Sequence, residues 1–347
     1  MHKNFRATEV LLDIRESKDP QKLIVVLGGG LSRERDVSKV SSKAITDALL
    51  RLKYDVVLLD VGNDIAQTLS QIRPHAVFNA LHGTYGEDGA VQGMLDIMQI
   101  PYTHSGLLAS AIAFNKNYSK TLWRDAGLNV VPTLNLAKDD EKSFRPYVVK
   151  PVSEGSSVGV EAIFPEDNFT LSENDEEYGK KLIEPYIQGR ELQVAMLDGK
   201  VLGHMEIKPL ESRIFDYEAK YTPGKALHIH SPRLEQGLVD LMYEASVIAY
   251  QVLNCRGLAR LEFLYREEGR APNTMHRALF EREIADLASA KSDLLAKHKL
   301  WFDKLFLLEL NTHPGFTPIS LCAEMAQARG IEFDELVEMI LLNATHD

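Results

Sequence analysis

The sequence predicts an α/β fold that opens with a parallel sheet flanked by helices and continues into antiparallel strands. Two observations carry this. The β-branched run Leu23–Leu27 ends at Gly28, Gly29 and Gly30, then gives way to Val37, Val40, Ala44, Ala48 and Leu52 at helical spacing. Beyond Leu192 the segments LQVAM and KVLGHMEI have the character of antiparallel strands. The 347 residues leave room for two or three domains of ~100–200 residues each.

Composition narrows the function classes. Fifty acidic against 39 basic residues leave a net charge of −11, which argues against nucleic-acid backbone binding but not against a local nucleotide pocket. With 45% apolar and 26% charged residues, wholesale disorder and collagen-like repeats are excluded. No apolar run approaches the ~18–20 residues of a membrane-spanning helix. The opening MHKNFRATEVLLDIRESKD lacks the apolar core of a secretory signal. Cys255 and Cys322 are too few and too far apart for a disulfide framework or a zinc site, which points to a reducing cytoplasm.

Along the chain, strands at Val56–Leu59 and Ala76–Leu81 follow the first, with helical patterns between them. This alternation is that of a parallel sheet. Functional loops of such sheets lie at strand carboxyl ends, here Gly28–Glu34 and His82–Gly89. A new region begins near residue 105, with Lys116, a strand and loop at Tyr147–Gly159, and a polar surface loop around Ser172–Gly179. Residues 208–225 lack periodicity and carry Pro209, Pro223 and Gly224, so they read as a long mobile loop. A helix at Gln236–Leu253 precedes strands at Ala259–Leu264 and Leu305–Leu310. Between those strands, Phe280, Ile284, Leu287, Leu294 and Leu295 fit an amphipathic helix, read as an added surface excursion.

No GxxxxGK[ST] is present, and Arg33 stands where a dinucleotide fingerprint needs its third glycine. The glycine turn alone is therefore either a tight turn or a phosphate cradle. The late strands say more. In ARLEF, Arg260 and Glu262 share a face; in LELN, Glu309 and Asn311 do the same. Paired side by side, they offer hard oxygen donors suited to Mg²⁺ beside one arginine, or else a plain polar stripe. Glu154–Gly159, with two glycines and two serines, has the donors to cover phosphates, and Lys150 at the preceding strand end can reach one.

SRERDVS (32–38), ALHGTYGEDGAVQGMLD (80–96), KPVSEGSSVGV (150–160), FDYEAKY (215–221) and ELNTHPGFTPIS (309–320) occur in this order. With these motifs the chain closely resembles the D-alanine–D-alanine ligase family of ATP-grasp carboxylate–amine ligases. The resemblance implies an N-terminal α/β substrate and dimer domain (1–104) followed by a two-domain ATP-grasp fold. Its central part (105–188) and C-terminal part (189–347, with a lid at 208–225) enclose ATP between antiparallel sheets. The implied reaction joins two D-alanines through an acyl phosphate, for peptidoglycan and so for cell-wall biogenesis and cell shape. The implied cofactors are ATP and two Mg²⁺, with Mn²⁺ as a substitute; the implied assembly is a cytoplasmic homodimer without nucleic-acid or membrane partners.

Residue roles follow from the same resemblance. Glu34, linked with Ser156 and Tyr221, positions the first D-alanine, and His82 lies beside it. Arg260 and the Gly315 N–H face the oxyanion, and Ser320 binds the second carboxylate. Glu262, Glu309 and Asn311 hold metal. Lys116, Lys150 and Lys220 contact phosphates, and Glu184, Ile187 and Glu191 contact adenine and ribose. Three departures stand out: Glu262 where many members have Asp, Asn115 where Asp is common, and Pro185 at the adenine hinge. Alternatives are a related ligase with another acceptor, a D-hydroxy acid or different amino acid, and a non-catalytic ATP and amino-acid sensor. Tyr221 in the lid favours the dipeptide over a D-alanine–D-lactate ester.

Overall fold

A computed structural model describes residues 23–134, 141–155, 157–169, 181–210, 214, 222, 224–266, 274–290 and 292–347. The expectations for residues 1–20, Ser172–Gly179, Ser156, Lys220 and Tyr221 fall outside these.

Strand β1 (Leu23–Gly28) is the centre of a parallel three-stranded sheet, with β2 (Asp55–Asp60) on one side and β3 (Ala76–Asn79) on the other. Both faces of β1 are buried, which explains an apolar run without alternation. Ile24 and Val26 pack towards helix α1 (Arg35–Arg51), while Leu23, Val25 and Leu27 face α2 (Ile65–Ile72) and α3 (Ala90–Ile97). The order β2-β1-β3 reverses direction at β1, so the loops after β1 and β3 open a crevice of ≈ 340 Å³ at the carboxyl edge, between Gly30, Ser32 and His82.

Helices α4 (Leu107–Phe114) and α5 (Lys116–Asp125) lead to a second, antiparallel sheet of β4 (Tyr147–Pro151), β5 (Glu161–Ile163) and β6 (Lys181–Pro185), in the order β5-β4-β6. The third sheet is antiparallel and five-stranded, with β7 (Arg190–Leu197), β8 (Lys200–Pro209), β9 (Ala226–Ile229), β10 (Leu258–Tyr265) and β11 (Leu305–Asn311) in the order β11-β10-β7-β8-β9. Helix α6 (Gln236–Val252) covers it through Leu238, Leu241, Met242 and Ala245. The α/β class with one parallel and later antiparallel sheets is as the sequence predicts.

Two expectations change. The stretch 208–225 is not loop from its first residue, because β8 runs through Pro209 and Leu210 N–H still donates to Lys225 O at 2.9 Å. The segment between β10 and β11 holds two helices, α7 (Thr274–Ser289) and α8 (Asp293–Lys297), the second capped by the Ser292 side chain. Phe280, Leu287 and Leu294 of the expected apolar stripe are buried, while most other described residues of the two helices are exposed or half-buried. Helices α9 (Leu321–Gln327) and α10 (Phe333–Leu342) close the chain against α1 and β8.

Candidate active site

The floor of the site is the β10–β11 pair. Their register sets Arg260 opposite Asn311 and Glu262 opposite Glu309. Alternation puts these polar side chains on one face, while Leu261, Phe263 and Leu310 are buried. The pairing slips by a bulge between Glu262 and Phe263, which accommodates a local bend at this point. On the other side of β10, β7 brings Gln193 opposite Glu262. The Gln193 amide accepts from Arg260 and donates to Glu262 Oε1 at 3.1 Å, and Arg260 Nη1 lies 3.7 Å from Glu262 Oε2. Burial works against the guanidinium charge, but Glu262, Cys322, Glu309 and Glu191 outweigh it and raise the Arg260 pKa. Arg260 thus stays cationic in a water-poor position.

Above this floor lies a cavity of ≈ 450 Å³ between the two antiparallel sheets. That volume suits a nucleotide-sized ligand. Lys116, Lys150, Glu184, Ile187, Glu191, Glu262 and Glu309 all line it. Lys116 opens α5, with Nζ 2.8 Å from Glu154 O and 3.5 Å from Glu309 Oε2. The preceding Asn115 is the helix cap, its side chain accepting from the N–H groups of Asn117 and Tyr118. Asn and Asp cap equally well, which accounts for that departure. Lys150 Nζ reaches Glu184 Oε2 at 2.6 Å, and Lys120 bonds the other oxygen. Burial opposes ionisation of Glu184, but Lys120 and Lys150 together overcome it and lower its pKa. Burial pushes Lys120 down to about 8, with Glu184 holding it up. Glu184, expected against adenine and ribose, is therefore tied by two lysines in this state.

The parallel sheet supplies the other end. Glu34, buried, immediately precedes α1, and its N–H donates to Ser32 Oγ at 3.1 Å. Ser32 Oγ in turn donates to His82 O at 2.6 Å. The His82 ring is held between Ser41 Oγ, 2.9 Å from Nε2, and Glu87 Oε1, 3.4 Å from Nδ1. Gly83 has φ +69°, and a Cβ there would collide with Glu34 Oε2. Gly155 brings the covering loop to the same place, where its Cβ would sit 3.2 Å from Glu34 Oε2 and 3.5 Å from Glu87 Oε2. A small cavity of ≈ 20 Å³, bounded by Glu87, Gly155, Lys116, Glu309 and Asn311, joins the two ends.

The turn after β11 closes the arrangement. Asn311 Oδ1 accepts from His313 N–H at 2.7 Å, and Phe316 N–H donates to Ser41 Oγ at 3.3 Å. Gly315 is exposed with nothing within 4 Å of a Cβ position, and Ser320 Oγ exchanges bonds with Thr317 N–H and O. Beneath it, the rings of His104 and His313 lie 4.9 Å apart. Burial pushes His104 down to about 4 and His313 well below its ordinary value, so both are neutral.

Two carboxylates, Glu262 and Glu309, and the Asn311 amide oxygen are hard donors on one face. Among the described residues no three His, Cys, Asp or Glu gather as a metal group. A donor set this small leaves coordination positions for water and phosphate oxygens, as Mg²⁺ prefers, so the residues fit that ion. Sequence reasoning missed Lys120, Glu87 and Gln193. Lys120 stands four residues after Lys116 on one helix face, and Gln193 two after Glu191 on one strand face; those spacings were available signals.

The family model D-ala D-ala ligase C-terminus matches residues 122–272 and 286–342, and D-ala D-ala ligase N-terminus matches residues 62–105. A D-alanine–D-alanine ligase of Rickettsia massiliae (strain Mtu5) is 43% identical over 332 residues, covering 94% of this chain and 93% of its own. One from Rickettsia africae (strain ESF-5) is 42% identical over 336 residues, 95% of this chain and 94% of its own. Among solved structures, the D-alanine–D-alanine ligase of Bacillus anthracis complexed with ATP matches with a TM-score of 0.69 at 27% identity, over 92% of this chain and 96% of its own.

Proposed function

The chain belongs to the D-alanine–D-alanine ligase family, and on that premise we propose that it joins two D-alanines at the expense of ATP, forming the dipeptide used in peptidoglycan precursors. The observation that carries this is the β10–β11 register, which gathers Arg260, Glu262, Glu309 and Asn311 between a nucleotide-sized cavity and the buried Glu34.

The chemistry proceeds in two displacements. An oxygen of the first D-alanine carboxylate attacks the γ-phosphorus of ATP, and ADP leaves. The amine of the second D-alanine then attacks the acyl-phosphate carbonyl, the amine proton is lost, and inorganic phosphate departs from the tetrahedral intermediate. Glu34 pairs with the ammonium of the first substrate, a charge-assisted bond strengthened by burial, and His82 lies alongside. Arg260, held cationic, and the Gly315 N–H meet the negative charge that grows on the carbonyl oxygen. Ser320 takes the carboxylate of the second D-alanine. Lys116 and Lys150, with Lys220 from the lid, neutralise phosphate oxygens, while Ile187 and Glu191 contact adenine and ribose. Glu184 lies within reach of the nucleotide and holds Lys120 and Lys150. Glu262, Glu309 and Asn311 would hold Mg²⁺, which would supply charge neutralisation on the transferring phosphoryl group. Ser156 and Tyr221 take the family's role of acting with Glu34 to position substrate, where keeping water from a hydrolysable intermediate matters.

The chain divides into domains 1–104, 105–188 and 189–347, pairs as a homodimer through the first, and works in the cytoplasm. Among the described residues no helix is long and apolar enough to cross a membrane. The test is phosphate release from ATP and Mg²⁺ on addition of D-alanine, with mass spectrometry of the product in competition with D-lactate. The expected product is D-alanyl-D-alanine; folded protein that releases no phosphate would refute the assignment.

A further inference from the structure

The two helices between β10 and β11 reach three separate apolar clusters. Family-model matching stops at residue 272 and resumes at 286, so the first three turns of α7 lie outside it. Those turns are nonetheless deeply engaged. Leu279 packs on the core of the three-stranded sheet, formed by Leu134, Tyr147, Val149, Ile163 and Ile183. One residue on, Phe280 enters a separate cluster with Val131, Ile187 and Phe306, against which Leu264 and Leu308 also pack. Further along, Leu287 and then Leu294 of α8 join the core beneath the five-stranded sheet.

Polar contacts tie α7 at its start and middle, and the cap of α8 beyond it. The His276 Nε2 lies 2.7 Å from Phe144 O, and Glu283 Oε2 lies 2.9 Å from Arg124 Nε on α5. Ser292 Oγ donates to Gly127 O at 2.8 Å. The Arg266 guanidinium covers the rings of Phe280 and Phe306 at 5.5 and 5.7 Å, and those two rings meet edge-on at 5.3 Å.

The middle cluster matters for ligand binding. Val131, Ile187, Leu264 and Leu308 are also walls of the ≈ 450 Å³ cavity, whereas Phe280 and Phe306 stand behind them and do not face it. The apolar wall of the cleft is therefore the outer side of a cluster whose inner side is closed by the segment's own aromatic ring. We propose that α7 is a brace joining the two sheets that enclose the nucleotide, and that Phe280 is a positioning residue for its adenine base. The inference rests on the ATP reading above. Phe280 touches no ligand; it holds Ile187 and Val131 at the spacing a flat base requires. Truncating it leaves a void into which these side chains relax. Packing on the base weakens, while the phosphate, metal and D-alanine groups on β10, β11 and the parallel sheet keep their places.

The test compares full-length wild type with Phe280→Ala, Phe280→Leu and His276→Ala, using calorimetric ADP binding, steady-state kinetics and thermal melting. Phe280→Ala is expected to weaken ADP binding and raise KM for ATP by about tenfold, with kcat at saturating ATP and KM for D-alanine within about twofold. Phe280→Leu refills the cluster and restores both nucleotide values to within about threefold. His276→Ala releases the far end of the helix, carries the same split at about threefold, and serves in place of Phe280→Ala if that variant does not fold. Unchanged ADP binding in the folded variants overturns the brace, as does a fall in kcat that moves with both KM values. Wild type that binds no ADP overturns the ATP reading itself, which separates the two failures.

Discussion

The two ends of the cleft set different groups around their buried carboxylates. At the nucleotide end the titratable groups are paired: Glu184 lies between Lys120 and Lys150, and Lys116 faces Glu309. At the amino-acid end Glu34 and Glu87 converge on Gly155, and the buried imidazoles of His104 and His313 beneath are neutral. On the proposed function, the first arrangement keeps the lysines that meet polyanionic phosphates paired before ligand binds. On the proposed function, the second sets the buried Glu34 where an ammonium group binds, above imidazoles that burial keeps neutral. A ligase that must bind a triphosphate and an amine side by side needs both, separated by the Arg260–Asn311 floor.

Arg260 stands where the ends meet, so its removal gives the largest effect. Arg260→Ala is expected to lower kcat by at least ~10², read as phosphate release, with melting used to confirm the fold. An unaltered kcat would break the shared-floor picture. Glu34→Gln tests the amino-acid end alone. Loss of a charge-assisted bond to the substrate ammonium raises KM for D-alanine by about 30-fold, while KM for ATP stays within about twofold. A matching rise in both would mean that the ends are not independent.

Legibility in the sequence follows the same division. The β10–β11 face was readable because strand alternation is local: Arg260 and Glu262, like Glu309 and Asn311, sit two residues apart, and only their pairing had to be inferred. The parallel sheet was readable because β1 carries an unbroken apolar run before a glycine turn. The Glu184 clamp was not, because the partner Lys120 lies 64 residues earlier and their meeting depends on how α5 packs against β6. Helix α7 is legible as an amphipathic helix, but its packing partners are not. Phe280, Ile284 and Leu287 give the period of one buried stripe, but nothing local says that Leu279, Phe280 and Leu287 enter three different clusters.

Lys120→Met sharpens the comparison from the nucleotide end. Glu184 keeps Lys150 as a partner, so the carboxylate is not left alone, but one cation that sets its geometry is gone. KM for ATP is expected to rise about fivefold, with KM for D-alanine unchanged, and ADP calorimetry should show the same loss. Equal losses for both substrates would place Lys120 in the general fold rather than in the nucleotide end.

Acid gives the smallest effect and separates the ends by a different property. Despite its burial, Glu184 is held below its ordinary value by Lys120 and Lys150, whereas the buried imidazoles resist protonation. His104, pushed from 6.5 down to about 4 mainly by burial, stays neutral in the folded chain while an unfolded chain takes up a proton. Its contribution is therefore complete above pH 6.5 and is lost progressively as pH falls towards 4. Between pH 6.5 and 5 this amounts to at most about 2 kcal/mol of folding free energy. Denaturant unfolding of wild type and His104→Asn at pH 7 and pH 5 reads it directly: the variant is less stable at pH 7 yet loses less on acidification. Parallel losses in both proteins would show that the acid sensitivity arises outside the imidazoles of the amino-acid end.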